Sequence, residues 1–545
     1  MPNFDIFEAI LKSRQLTGDA KKDFLSPDYN KKHDPFLLPD MEKAVERLLI
    51  AYDKQEKIVI YGDYDIDGLT ATTLLLDSFK SFGFRNVDSY MPNRFIEGYG
   101  LTMEAIERIA ESGIELIITV DCGSLSEKEI IRAGELNIDV IVTDHHSVAP
   151  VQPPAVAVIN PKRSDSKYPF IDLPGVAVAF KLVQALQTRL SGLAIGQEKW
   201  LLDLVALGTV CDVVTLVDEN RMHVYWGLKV LAKTRRPGLK ALMLVAGIEN
   251  SKIDARSLGF GLGPRMNAAG RLETAQHSLD LLLTDDSMLA LDKANQLNQL
   301  NITRRLDQDK IFKEAILQAD QYLNDPVLVV SNSSWNHGIV GIVAAKLLER
   351  YKKPTYVLQE MGEISKGSAR SYGDFSAVDA IRSVDDIIIK GGGHRLAAGV
   401  TMLTENVNTF RNRVNQFYKS LNLSNQSDLL LPIVDVTIPD LSGLNMNYQN
   451  KLKSLEPFGN GNPEPIIKID NCQVVNIRIM GSDSQHIKIS IKDKKGLTIQ
   501  LLAFNAPEYF FVGLGELITV WFQTTVNDWR GNQSIEGRLI HLNKI

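Results

Sequence analysis

Eight residues open the chemistry: Tyr61-Gly62-Asp63-Tyr64-Asp65-Ile66-Asp67-Gly68. Three carboxylates at alternate positions repel one another unless a cation lies between them. Hard divalent ions take oxygen ligands of this kind. The plain alternative is an Asx-rich turn that caps the helix beyond it. Such a turn uses one aspartate and leaves two without a role. An EF-hand loop fits poorly, because no Glu closes a twelve-residue loop and a strand runs into the motif. Asp121, in Thr119-Val-Asp121-Cys-Gly123, is either a turn residue or a further ligand. Asp144-His145-His146 says more. Adjacent histidines at a strand end point different ways, so one can ligate a metal while the other faces substrate. The nearby Asp144 carboxylate can orient a ring. A solvated loop is the alternative there. Asp212, in Gly208-Thr-Val-Cys-Asp212, stands among apolar residues. A buried aspartate needs a partner, unless this one only ends a helix. Mixed carboxylate and imidazole donors suit Mn²⁺ or Mg²⁺, with imidazole tilting the choice to Mn²⁺. There are ligands enough for two ions, the arrangement that clamps the attacking and leaving oxygens of a phosphoryl transfer.

These motifs need a frame. Lys57–Tyr61 reads as a short buried strand, followed by the turn Gly62–Gly68 and the helix Leu69–Phe82. Leu116–Val120 and Val140–Thr143 are two more strands, ending in Asp121 and Asp144. Continuous apolar strands alternating with helices predict a parallel sheet covered on both faces. The acidic motifs then lie past the C-terminal strand ends, where open α/β sheets hold ligands. Val176–Leu190 and Trp200–Gly208 read as helices, the second leading to Asp212. The expected domains are a helical segment over 1–55, with Met41–Tyr52 its clearest helix, and a metal domain with a helical extension over 56–285. Residues 286–323 lack Gly and Pro and predict one long connecting helix. A smaller α/β domain spans 324–425, beginning at strand Val327–Val330 and containing helix Gly338–Arg350. From 432 to 545 the pattern turns to short β-runs: Ile466–Ile469, Gln473–Arg478, His486–Ile491, Leu497–Phe504, Leu517–Thr524 and Gln533–Ile540. They predict a small closed barrel of the oligonucleotide-binding (OB-fold) type.

A chain of 545 residues is too long for one core. Its 44% hydrophobic and 23% charged residues are the balance of a soluble globular protein. Cys122, Cys211 and Cys472 make no disulfide framework and fit a reducing compartment. The first ten residues carry Asp5 and Glu8 and no basic region before an apolar core, unlike a signal peptide. The most apolar window, Leu201–Val217, is broken by Asp203 and Asp212, so no membrane span is expected. The expected location is cytoplasmic. A net charge of −6 argues against a nucleic-acid coat protein. It leaves a nuclease open, since bound divalent ions offset an acidic site and basic residues can line one groove.

Asp144-His145-His146 with the upstream Asp63-Tyr-Asp65-Ile-Asp67-Gly68 resembles the DHH phosphoesterase superfamily. Gly391-Gly392-Gly393-His394-Arg-Leu-Ala-Ala-Gly399 is similar to the glycine-rich signature of its associated C-terminal (DHHA1-like) domain. In length and layout the chain resembles the RecJ family of single-strand-specific 5′→3′ DNA exonucleases. That resemblance also runs through Pro92-Asn-Arg94, Glu97–Gly100, Gly259–Leu272, Asn332–Gly341 and Lys366–Arg370. It implies that Asp65, Asp67, Asp121, His145 and Asp212 are metal ligands, with Asp63 a further member. It places His146 and His394 against the scissile phosphate and the Gly392–Gly393 N–H groups in a phosphate-binding loop. Arg94, Ser368 and Arg370 become the clamp for a 5′-terminal phosphate, and Asn336 and His337 line the cleft. The implied activity is stepwise hydrolysis of single-stranded DNA to mononucleotides in repair and recombination. A single-strand-binding protein and a helicase are the implied partners. Some longer members continue past the barrel, whereas this chain stops at Ile545, so a partner docked through such an extra domain is not expected.

Arg265 and Arg271 either contact backbone phosphates or only bridge domains. In the barrel, Lys488, Lys492, Lys494 and Lys495 with Trp521, Phe522 and Trp529 mix cations and aromatics as single-strand binders do, although barrel aromatics are commonly core. A small-substrate phosphodiesterase of the same superfamily is the rival; it has no need of a terminal barrel. A catalytically dead DNA-binding scaffold is the other, and it would be expected to have lost ligands that this chain keeps.

Overall fold

The computed structural model describes residues 4–423, 429, 431–481, 484–529 and 531–545. The first sheet takes β1 (Ile58–Gly62), β2 (Val87–Tyr90), β3 (Leu116–Val120), β4 (Asp139–Thr143) and β5 (Ala157–Ile159) in the order β2-β1-β3-β4-β5. Every pairing is parallel. β1 and β3 are buried along their whole length, which is why their sequences are apolar without alternation. Between β1 and the helix Ile66–Phe82 the chain turns so tightly that a Cβ on Gly68 would lie 2.4 Å from the Asp63 carbonyl oxygen. Asp65 caps that helix, its Oδ1 accepting from the N–H groups of Asp67 at 2.9 Å and Gly68 at 3.2 Å. The capping alternative for this motif is therefore true of Asp65. It does not employ Asp63 or Asp67.

The long helix runs from Ser287 to Ala319, 33 residues, with Asp286 at its N-cap. Helices Pro237–Val245 and Gly263–Leu272 pack against its first part, and helix His337–Tyr351 of the next module packs against it as well. The second sheet has β6 (Leu328–Asn332), β7 (Thr355–Met361), β8 (Ile364–Arg370), β9 (Ile388–Gly393) and β10 (Ala397–Leu403) in the order β6-β7-β8-β10-β9. Only β6–β7 is parallel. Gly391–Gly393, expected as a loop, forms the end of edge strand β9. The absence of side chains lets the strand pass close to its neighbours: a Cβ on Gly391 would meet Ile381 at 2.5 Å.

The last module contains β11 (Val436–Ile438), β12 (Ile467–Met480), β13 (His486–Lys492), β14 (Thr498–Ala503), β15 (Leu517–Trp529) and β16 (Asn532–Lys544). Pairing of β12 with β15 closes the barrel. The runs Ile466–Ile469 and Gln473–Arg478, read as separate strands, belong to β12; the polar interruption is a bulge, with Asn471 at φ +56°. The opening helical segment serves two cores. Its helix Ile6–Ser13 buries Ile6, Phe7, Ile10 and Leu11 in the barrel core, whereas helix Met41–Lys54 packs with the first sheet's core. Among the described residues no helix is long and apolar enough to cross a membrane.

Candidate metal centre

Past the ends of β1, β3 and β4 the predicted acids converge. Ligand atoms of Asp63, Asp65 and Asp121 lie within 4.8 Å of one another, as do those of Asp67, His145 and Asp212. Asp121 links the groups: its Oδ1 is 3.1 Å from His145 Nε2, which stands 3.6 Å from Asp212 and 3.8 Å from Asp67. Asp121 adopts φ +63°, a left-handed conformation that only a few residue types visit readily. Asp67 is held by the start of helix Gly175–Leu186, whose Gly175 and Val176 N–H groups donate to it at 2.6 and 2.8 Å.

Burial and mutual repulsion set the protonation of this cluster. Burial and the neighbouring Asp65 push Asp63 well above the usual carboxylate range, and burial with Asp67 does the same to Asp121. Asp67 is pushed up to about 7 by burial and Asp65, and Asp212 to about 9 by burial and Asp67. Buried polar atoms of Asp63, Asp121, His145 and Asp212 have no hydrogen-bond partner. Buried acceptors left unpaired are costly, and divalent cations would satisfy the carboxylate oxygens and His145 Nε2 together. The residues therefore fit two Mn²⁺ or Mg²⁺ ions.

The two histidines have opposite environments. Burial, reinforced by the charge of His146, lowers His145 to about 3, so it is a neutral imidazole fit to ligate. Burial alone would lower His146 too, but the hydrogen bond and charge of Asp144 raise it. Nδ1 of His146 lies 2.9 Å from Asp144 Oδ1. Asp144 also accepts from the N–H groups of His145, His146 and Ser124. Against the effect of burial, its hydrogen bond with His146 holds its pKa well below the ordinary carboxylate range. Asp144 is thus the anchor of the histidine pair. The His145 side chain is 7% exposed and that of His146 32%, so His146 is the one open to the cleft.

Three arginines face the same space from two modules. Arg94 lies over the Tyr64 ring at 4.7 Å. Its loop is fixed by Glu97, which accepts from Asn93 N–H at 2.6 Å and from Tyr90 and Arg108 at 2.5 Å. Burial lowers Arg370, and Arg94 lowers it further; burial with Arg94, Arg304 and Arg370 does the same to Arg271. Guanidinium groups stay charged in proteins, so cations pressed together in this way call for an anion. Ser368 alternates with Arg370 on β8, and both stand by Gly341, where a Cβ would come within 3.3 Å of Ser368. Arg271 also zips the modules, Nη1 donating to the Gly338 carbonyl at 3.1 Å. His337 packs edge-on against Phe95 at 5.1 Å, and Asn336 caps the helix beginning at His337.

The remaining candidate residues are placed as follows. Arg265 donates from Nε to Asn298 Oδ1 at 3.0 Å and from Nη1 to the Gly261 carbonyl, so these two donors serve the bridge to the long helix. His394 is exposed, as are Gly392 and Gly393 on the sheet edge; among the described residues no hydrogen bond or ion pair joins the His394 ring to the aspartates. Phe522 is core and fully buried, whereas Trp521 lies under Lys468 and beside His541, part-exposed. The Trp529 side chain lies outside what is described. Tyr99, noted only within a motif, donates its hydroxyl to the Asp121 carbonyl at 3.2 Å and lies 2.9 Å from His146 Nδ1. It stands between Gly98 and Gly100, both at positive φ.

Residues 57–209 match the DHH family, N-terminal domain; 324–420 match the DHHA1 domain and 434–541 the RecJ OB domain. The single-stranded-DNA-specific exonuclease RecJ of Escherichia coli is 34% identical over 92% of this chain and 89% of its own length. That of Bacillus subtilis is 37% identical over 95% of this chain, which spans 65% of that relative. The crystal structure of RecJ from Thermus thermophilus in complex with Mn²⁺ superposes with a TM-score of 0.84 at 28% identity, covering 99% of this chain and 76% of that one.

Proposed function

Because the chain belongs to the RecJ family of single-stranded-DNA-specific exonucleases, we propose that it removes mononucleotides from the 5′ end of single-stranded DNA, in repair and recombination in the cytoplasm. The observation that carries the polarity is the set of opposed cations, Arg94 from the metal domain and Arg370 with Ser368 from the domain facing it. A terminal phosphate has more charge than an internal diester, and guanidinium binds it bidentately.

In this reading Asp63, Asp65 and Asp121 would hold one ion and Asp67, His145 and Asp212 the other. When bound, two divalent ions offset phosphate charge and activate water for in-line attack. Asp144 keeps His146 protonated and turned, so His146 donates to an oxygen of the scissile phosphate. His394 and the Gly392–Gly393 N–H groups approach that phosphate from the facing domain, where Asn336 and His337 line the cleft. Arg271 contributes charge and the seam between modules. A single-strand-binding protein and a helicase, which hold and open strands, are the partner classes this reading implies. The barrel favours a long strand over a small nucleotide as substrate.

Matched strands differing only in a 5′-phosphate or 5′-hydroxyl give the test. The phosphorylated strand is expected to be cut faster and from its 5′ end. Arg370→Ala is expected to remove roughly 1.5–3 kcal/mol of that preference. Products that shorten from the 3′ end, or a variant with the parental preference, would refute the polarity.

A further inference from the structure

Asp212 ends the helix Leu202–Cys211, and the chain then reverses through Val213 at φ +62°. A β-branched residue in the left-handed region is an outlier that persists only where its surroundings enforce it. The enforcing contacts come from the segment leading into the barrel. Asn460 Nδ2 donates to the Val213 carbonyl at 2.9 Å, and Leu216 N–H donates to the Asn460 carbonyl at 2.7 Å. The approach depends on glycine: a Cβ on Gly459 would lie 2.6 Å from Leu216 Cδ1. The segment is itself fixed from beneath. Buried Arg221 donates to the carbonyls of Ser454, Leu455, Glu456 and Pro457.

We propose that Asn460 is a positioning residue of the metal centre. By clasping the Val213 carbonyl it imposes the left-handed turn, and that turn aims the Asp212 carboxylate at His145 and Asp67. The barrel module so completes the metal site without touching it. The inference rests on the reading of Asp212 as a ligand.

Asn460→Asp keeps the shape, removes the donor and sets a carboxylate oxygen against the Val213 carbonyl. The experiment titrates Mn²⁺ into the full-length, DNA-free protein by calorimetry, alongside rates on single strands. One Mn²⁺ step is expected to weaken about tenfold or more, the scale set by partners that orient metal ligands. kcat is expected to fall at limiting Mn²⁺ and recover at saturation, with KM for DNA unchanged. Adding Val213→Gly makes the left-handed turn native to the backbone and is expected to restore the Mn²⁺ titration. An unchanged titration in Asn460→Asp overturns the proposal, whatever the activity, and so does an effect on KM alone. Should Asn460→Asp fold poorly, Asn460→Ala faces the same titration. Asp212→Asn separates the premises: Mn²⁺ binding unaffected by it defeats the ligand assignment. Binding weakened by Asp212→Asn but not by Asn460→Asp defeats only the clasp.

Discussion

Asp121 concentrates the conflict between stability and function. It is buried, pushed up by burial and by Asp67, Asp65, Asp63 and Asp212, and sits at φ +63°. Asparagine tolerates the left-handed region and carries no charge. Asp121→Asn is therefore expected to abolish turnover while making the metal-free protein more stable at alkaline pH, where the parent's carboxylate is forced to ionise. A nuclease assay checks the first half and metal-free thermal unfolding the second; a variant less stable than the parent would show that the carboxylates do not oppose folding. Asp67 and Asp212 give the pH dependence. Their folded pKa values, about 7 and about 9, lie above those of the unfolded chain. Over that window the folded state binds more protons than the unfolded one. Their contribution is thus complete below the unfolded values and is lost as pH rises through the folded ones. Metal-free stability is expected to fall from about pH 5 to 9, and apparent Mn²⁺ affinity to rise over the same range, because the ions replace protons. Calorimetry at several pH values reads both. Most of the converging donors were legible in the sequence because Asp63, Asp121 and the Asp144–His146 run follow directly on apolar strands, and Asp212 because it is a lone acid in an apolar stretch. Tyr99, the N–H groups of Gly175 and Val176, and Asn460 were not, since they act on ligands and come from distant stretches without a chemical signature.

At the scale of elements, periodicity located β1, β3, β4, β6, most barrel strands and the long helix, but it left β5 and β7 to β10 unassigned and said nothing of the elements' partners. Helix Ile6–Ser13 has an apolar face, yet nothing in it says that the face belongs to the barrel 420 or more residues away, where Arg14 donates to Asp435 at 2.7 Å. The glycine run at 391–393 reads as a loop because glycine is rare inside strands; an edge strand crowded by Ile381 is the exception. Arg221 shows how elements from three regions are joined. Its guanidinium lies 3.7 Å over Phe24, has no ion-pair partner among the described residues, and donates to the Phe24 carbonyl as well as to the segment before the barrel. Arg221→Met keeps much of the volume but leaves those carbonyls without a donor. A loss of roughly 2–3 kcal/mol is expected, the scale of hydrogen bonds to a charged group. Urea unfolding measures it, and a change below about 0.5 kcal/mol, typical of surface positions, would mean water replaces the guanidinium freely.

At the scale of the whole molecule the chain closes on itself, and the order of domains in the sequence conceals this. The opening residues complete the last module: Ile6, Phe7, Ile10 and Leu11 are buried in the barrel core, and Arg14 bonds Asp435, Asn462 and the Pro463 carbonyl. Each large apolar side chain buried adds about 1.5–3 kcal/mol, so these four contribute several kcal/mol to a module that has few other helices. A chain starting at Asp28 is expected to keep the first sheet, whose own core begins with Tyr29 and Leu38, and to lose the barrel. Limited proteolysis should then cut first within 432–545 and spare 57–420. Melting is expected to split into two steps in the shortened chain and to be a single step in the parent. Single-strand affinity should drop most at raised salt, where phosphate contacts are already weakened. If the shortened chain melts in one step with barrel and core equally protected from protease, the barrel folds without its N-terminal helix, and the closure of the chain is not what holds it in place.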